Sequence, residues 1–290
     1  MPATERAPER CVLCDGTGRA LLVRLGEWTV FRCTGCGLGV LDPRPGPEKL
    51  ASLYRDDYFV TQYDRGLSPG SPEMARRLSQ EGHRIRFFRK FVPRGRILDI
   101  GCGRGYFLHA CRLQGYDVMG YDVSEEAAAY VRGTLGIPVE AGPRRDDLFP
   151  EESVDVVTMW HTLEHTSDPR EILDRAWRWI RPGGFLVVEV PNYEGTDARW
   201  RWAEWEGWQV PYHFYHFTPR TLGEMLSRHG FRATRTKSYH SETVKTRLKE
   251  LPVVSLVARP VAKFFPGTSY AVVAGKIGQP TGGEVRAGAG

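Results

Sequence analysis

The run Arg96-Ile97-Leu98-Asp99-Ile100-Gly101-Cys102-Gly103-Arg104-Gly105 constrains this chain more than any other stretch. Its first five residues read as a short buried strand, which breaks at once into a turn with glycine at every second position. A helix pattern follows over Tyr106–Gln114. Glycine at 101, 103 and 105 leaves backbone without Cβ where a ligand must come close. A strand, a Gly-rich turn and a helix N-terminus make the nucleotide-binding corner of an open α/β sheet. The dinucleotide fingerprint asks for glycine at position 106, where Tyr106 stands, and this argues against a pyrophosphate. The spacing G-x-G-x-G after an acidic residue suits a ligand with a nucleoside and an amino-acid tail.

From Arg96 onward, strand and helix patterns alternate, as in a mostly parallel sheet. Strands are expected at 96–100, near 117–121, near 137–140, and at 154–160, 185–190, 231–238 and 270–276. The fold class is therefore α/β, a seven-stranded doubly wound sheet. Ser71-Pro72 opens a helix ahead of it, with Met74, Leu78, Ile85, Phe88 and Phe91 as its apolar face. Ser124 caps a helix over 125–135, and Asp168 with Glu171 predicts a capping box for a helix reaching Ile180. Thr218-Pro219 starts another, ending at Gly230, and 244–265 reads as an amphipathic stretch interrupted by Pro252 and Pro260.

Ahead of the sheet, Cys11-Val12-Leu13-Cys14 and Cys33-Thr34-Gly35-Cys36 are two C-x-x-C knuckles. The spacing is that of a zinc site with four cysteine ligands. Thiolates paired on tight turns bring four sulfurs into tetrahedral reach, and four protein ligands leave no open position for catalysis. Leu21–Val23 and Thr29–Phe31 alternate like a hairpin, so the unit reads as a zinc ribbon, with the zinc structural. Cys102 and Cys111 lie outside it.

Composition limits the alternatives. A chain of 290 residues holds one α/β domain and a small attachment. No stretch approaches the roughly 20 apolar residues of a membrane span, and the polar first ten residues do not read as a secretory signal. The expectation is a cytoplasmic protein without a membrane partner, whose cysteines serve metal or stay free. The net charge of +5 is spread over interspersed charges, which argues against a nucleic-acid partner.

On Asp99, Gly101, Gly103 and Gly105, with Asp122 ending the next strand, the chain resembles the class I S-adenosylmethionine-dependent methyltransferases. The resemblance covers about 85–280 and implies S-adenosyl-L-methionine as cofactor, with the last strand antiparallel. It implies that the glycine turn lies against the methionine portion and that Asp122 holds the ribose. Tyr106, Val123, Trp160 and His161 join these as expected cofactor contacts. In the loop after the third strand, Asp146 or Asp147 is the expected adenine contact, or else a surface charge. The segments are then a zinc ribbon over 1–45, a linker and helical cap over 46–84, the methyltransferase domain, and a disordered tail over 281–290. The ribbon, followed by Pro43 and by Tyr54 and Tyr58, is similar to that of methyltransferases of sugar and secondary-metabolite biosynthesis. That similarity implies a ribbon shaping the acceptor side.

The fourth strand ends in Trp160-His161-Thr162-Leu163-Glu164-His165, at the sheet edge where ligands bind in such folds. His161, Glu164 and His165 are candidates for a general base, or Glu164 and His165 brace the following loop. The run is also similar to that of ubiquinone-biosynthesis O-methyltransferases, where two glutamates and a histidine bind a divalent ion. Glu164 and His165 match two of those ligands, while His161 replaces the first. Trp200, Trp202, Trp205 and Trp208 read as a lid or acceptor wall, or as packing over the sheet. The segment Pro211–Phe217 resembles the acceptor-side motif of the zinc-ribbon enzymes, which implies that His213 faces the acceptor. His213 and His161 lead as bases, for a small-molecule acceptor with an O–H or less commonly N–H or C–H group. An RNA methyltransferase is the runner-up, since some rRNA-modifying enzymes also carry an N-terminal zinc element. A non-catalytic, cofactor-shaped scaffold is the third reading.

Overall fold

Period-two alternation builds the N-terminal unit. The computed structural model describes residues 4–46, 49, 66–142, 148–250 and 255–278. Strand β1 (Thr4–Glu5) leads to the hairpin β2 (Arg19–Leu25) and β3 (Trp28–Cys33), which turns at Gly26 with a φ of 62°. Trp28, Val30 and Cys33 point inward from β3 and leave its other residues toward the surface. β4 (Gly39–Leu41) pairs antiparallel with β3, and β5 (Arg44–Pro45) closes back on β1.

Helix α1 (Pro72–Phe88) then crosses to the main sheet, with the Ser71 hydroxyl capping the Met74 amide at 3.1 Å. β6 (Arg96–Ile100), α2 (Tyr106–Leu113), β7 (Asp117–Asp122), α3 (Glu125–Tyr130) and β8 (Val139–Ala141) wind one way. β9 (Val154–Trp160), α4 (Pro169–Trp179) and β10 (Ile180–Pro191) wind the other. The short helix α5 (Thr196–Arg201), the strand β11 (Tyr215–His216), α6 (Pro219–Arg228), β12 (Phe231–His240), α7 (Glu242–Lys249), α8 (Ala258–Ala262) and β13 (Pro266–Lys276) complete the chain. The sheet order is β12-β13-β10-β9-β6-β7-β8, parallel from β10 to β8, with β13 inserted antiparallel between β10 and β12. This is the seven-stranded mixed sheet expected from the sequence, with the antiparallel last strand.

Neighbouring residues on each strand serve opposite faces. Leu98, Val157, Val188 and Val272 join a core with α4, α6 and the ribbon. Ile97, Val156, Val187 and Val273 join a second core under α1 and α2. The direction of winding reverses between β6 and β9, so the crevice for a ligand opens at the carboxyl ends of these two strands.

Some local expectations shift. Asp168 caps α4 through the Arg170 amide at 2.9 Å and also grips the Arg170 guanidinium, while Glu171 reaches Arg175 instead of closing a box. A reciprocal box forms at α6, between Thr218 and Thr221. The helix expected to reach residue 135 changes at Val131 to a π-helical turn ending at Gly136. The Tyr54–Tyr63 aromatic cluster, Asp146, Asp147, Pro252 and the tail 281–290 lie outside the described residues. Among those described, no helix is long and apolar enough to cross a membrane.

Candidate active site

The glycine turn holds its shape by conformation and by contact. Gly101, Gly103 and Gly105 adopt φ of 74°, 51° and 69°, the left-handed region that side chains resist. A Cβ at Gly101 would stand 2.5 Å from Thr162 Oγ1, whose hydroxyl donates to the Ile100 carbonyl at 2.9 Å. Asp99 accepts the Thr158 hydroxyl at 2.6 Å, and burial pushes its carboxyl up to about 7 against that hydrogen bond. Asp122 accepts the Gly103 amide at 2.7 Å and the Ser124 amide at 2.9 Å, one on each oxygen. Burial raises its pKa against those bonds.

A cavity of about 350 Å³ opens over this turn. Asp99, Gly101, Cys102, Gly105, Tyr106, Trp160 and His161 line it; Gly103, Asp122 and Val123 are not among the lining residues, though Asp122 holds the turn through the Gly103 amide. Helix α1 adds Arg77, Glu81 and Arg84, which sequence reading missed. Glu81 is buried and bridges Arg77 at 2.6 Å and Arg84 at 3.0 Å; the Arg84 guanidinium also lies 5.0 Å from the Trp160 ring. Their spacing of four and three residues puts all three on one helix face, a polar stripe beside the apolar one. That stripe was the available signal.

Histidines line the same cavity. His161, at a φ of 55°, has both ring nitrogens engaged: Nε2 with Glu189 at 3.0 Å and Nδ1 with Glu164 at 3.3 Å. Burial works against its charge, but the two carboxylates raise its pKa to about 9. Glu189 accepts Tyr239 through its other oxygen at 2.7 Å, and its pKa falls to about 2 against its burial. Neither Glu189 nor Tyr239 was singled out from sequence.

His213 comes to the same place from 49 residues beyond Glu164. Its Nδ1 donates to the Gly207 carbonyl at 2.9 Å, which leaves Nε2 as the lone-pair nitrogen. Burial, with His165 and His216 nearby, holds its pKa well below the usual histidine range. Its ring meets the His165 ring at 4.5 Å edge to face, and His165 is bonded to the Tyr212 backbone. One ligand atom each of Glu164, His165 and His213 lie within 4.8 Å of one another. His161 is not of that group, so the set implied by the ubiquinone-type resemblance does not assemble; His213 stands in its place. Both carboxylate oxygens of Glu164 are buried, and neither makes a hydrogen bond beyond the His161 ion pair.

The tryptophan loop divides. Trp205 and Trp208 are buried, and Trp208 donates to the Trp202 carbonyl at 2.7 Å and packs against His216. Trp200 and Trp202 are exposed. None of the four lines the cavity, where Glu206, Gly207 and Gln209 stand instead. Trp205 and Trp208 thus follow the packing alternative, and the Trp208 N–H finds a carbonyl as a buried indole prefers.

In the ribbon, Cys11 Sγ lies 3.5 Å from Cys36 Sγ, and Cys14 Sγ 3.5 Å from Cys33 Sγ, with all four sulfurs within 4.8 Å. Sulfurs placed tetrahedrally at about 2.3 Å from zinc stand about 3.8 Å apart, so this set fits the ion. The ribbon is also built into the site. β11 pairs with β4, Arg220 donates to the Cys36 carbonyl, and Tyr193 to the Gly37 carbonyl.

The sheet order, the antiparallel β13 and a glycine turn at the switch point define the Rossmann-like class of S-adenosylmethionine-dependent methyltransferases. The chain belongs to the methyltransferase-domain family, whose model matches residues 72–236. It is 29% identical over 140 residues to a probable S-adenosylmethionine-dependent methyltransferase of Mycolicibacterium smegmatis, covering 47% of this chain and 51% of that protein. Against a ubiquinone biosynthesis O-methyltransferase of Pseudomonas putida it is 34% identical over 103 residues, 33% of this chain and 44% of the relative. The chain thus spans about half the length of these curated relatives. Two solved structures share the fold. A SAM-dependent methyltransferase from Archaeoglobus fulgidus aligns over 76% of this chain and 100% of its own, at 24% identity and a TM-score of 0.55. A protein from Pyrococcus horikoshii aligns over 78% and 98%, at 16% identity and 0.52.

Proposed function

We propose that this chain transfers the methyl group of S-adenosyl-L-methionine to an oxygen of a small-molecule acceptor, of the sugar, glycan or secondary-metabolite kind. The observation that carries the reading is His213: a buried neutral imidazole, its Nδ1 proton committed to a carbonyl, lining the same cavity as the glycine turn. The sulfonium methyl is already activated, so the protein has to align the acceptor and take its proton. Alignment of two bound reactants can lower the barrier by about 7–11 kcal/mol. His213 Nε2 is the base in this reading, whereas both nitrogens of His161 are held by carboxylates and position Glu164 and Glu189. Arg77, Arg84 and Glu81 offer opposite charges to the carboxylate and ammonium of the methionine tail. Asp122, with one amide on each oxygen, keeps lone pairs for the ribose hydroxyls. The four ribbon cysteines hold a structural zinc.

Two variants separate binding from chemistry. Asp122→Ala is expected to weaken cofactor binding in calorimetry. His213→Ala should leave that affinity in place and lower turnover by about 100-fold or more. Product mass read after incubation with labelled cofactor must rise by one methyl on the acceptor; unchanged turnover in His213→Ala removes the residue from its role.

A second reading rests on the convergence of Glu164, His165 and His213. Metal-bound imidazoles commonly give their outer N–H to a backbone carbonyl, as His213 does to Gly207. On this reading the three side chains hold a divalent ion, which would polarise the acceptor oxygen. Metal content decides: two ions per chain, falling to one in Glu164→Gln, support it, and a single ion retained by that variant rejects it.

A further inference from the structure

The segment between β12 and β13 lies outside the stretch matched by the family. Around α8 the usual rule of burial is reversed. In and around α8, the small residues Ala258 and Ala262 are fully buried, and the large ones face out: Leu256 is 90% exposed, Phe264 85%, Val257 47% and Phe265 38%. Trp200 on α5 adds another exposed ring, with the Arg247 guanidinium of α7 stacked 5.0 Å from it. Single exposed apolar side chains need no explanation, but a concentration of this kind marks a surface with a partner.

The charges say which partner. Residues 242–265 carry Lys245, Arg247, Lys249, Arg259 and Lys263 against Glu242 and Glu250 only. Arg247, Lys249, Arg259 and Lys263 are exposed among the apolar residues. Large apolar side chains interleaved with cations are the signature of an element that lies in the interface of an anionic bilayer, with hydrocarbon below and headgroups around the charges. A second copy of this chain fits poorly, because a two-fold contact sets the same cations against one another.

The segment is held firmly to the body. Asp197 on α5 is buried and accepts the Ser241 hydroxyl, the Thr243 amide at 3.0 Å and the Thr268 hydroxyl at 3.1 Å. These three residues bracket the segment at both ends, and Thr268 also lines the cavity. We infer that the exposed apolar residues flanking α8, with the cations of α7 and α8, dock this protein on an anionic lipid surface, with the cavity close to that surface.

The test is vesicle co-sedimentation of the full chain. Vesicles of phosphatidylcholine with phosphatidylglycerol should bind the protein, those of phosphatidylcholine alone should bind it at least about tenfold more weakly, and added salt should release it. The double variant Leu256→Glu, Phe264→Glu should lose about tenfold or more of this binding; both positions are exposed, so melting temperature and cofactor affinity should stay unchanged. Arg259→Glu with Lys263→Glu should lose binding to the anionic vesicles as well. Equal binding to both vesicle types, no binding, or a wild-type dimer that the apolar variant dissociates would overturn the inference, the last by assigning the surface to a second copy.

Discussion

Asp99 illustrates how the cofactor turn costs stability at the level of one residue. Its carboxyl is fully buried and titrates near 7, well above the usual carboxylate range, because burial outweighs the Thr158 hydrogen bond. In the unfolded chain it titrates near 4. Between those values the folded state holds a proton that the unfolded state has released, so stability falls as pH rises from about 4 to about 7 and levels off above. Denaturant unfolding across that range should show the slope, and Asp99→Asn should flatten its share of it. A slope that Asn leaves unchanged would mean that Asp99 stays ionised in the fold. The place of Asp99 in its strand and the turn at the three glycines were open to sequence reading because turn and strand are local. The pairing of Glu189 with His161 was not. It depends on β10 lying beside β9 in one register, with Glu189 opposite Trp160, and no single stretch of sequence encodes that.

At the scale of elements, strands were legible where both faces are apolar. β9 falls where its Val-rich run predicted, over Val154–Trp160. The edges were less so: β13 begins at Pro266, four residues before its apolar core, because the pairing of His240 with Pro266 extends the ladder through polar residues. The least legible element was β11, two residues long. It completes a four-stranded sheet with β4, β3 and β2, and its neighbour Phe214 donates to the Glu164 carbonyl and accepts from the Leu41 amide, both at 2.9 Å. The backbone adjoining His213 is thus pinned between the ribbon and the end of β9. Loosening the ribbon should therefore act on turnover more than on cofactor binding. Cys36→Ser, or stripping metal with a chelator, is expected to lower turnover and alter the fluorescence of Trp208, which packs on His216. Cofactor affinity should change little. Normal turnover in a chain shown to be free of metal would disconnect the ribbon from the site.

The same pinning bears on the whole molecule. A zinc ribbon is commonly too small to fold without its ion, and an appended one would melt as a separate unit. Here one apolar core runs without a break from Leu38 and Leu41 in the ribbon, through Phe214 and Phe217 of the strap Pro211–Phe217 that carries His213, to Leu222 and Met225 on α6 and Val190 in the main sheet. Gly39 meets His216 so closely that a Cβ there would stand 2.7 Å from the histidine Cβ. Separating the ribbon would expose this core and open the β4–β11 ladder, and buried apolar area is worth about 25 cal/mol per Å². Ribbon and sheet should accordingly unfold together. Far-ultraviolet dichroism and tryptophan fluorescence are expected to report one coincident transition, and metal removal should lower its midpoint without splitting it. Two transitions, the earlier one abolished by Cys11→Ser, would show instead that the ribbon folds apart from the sheet, and the strap carrying His213 would then need another anchor.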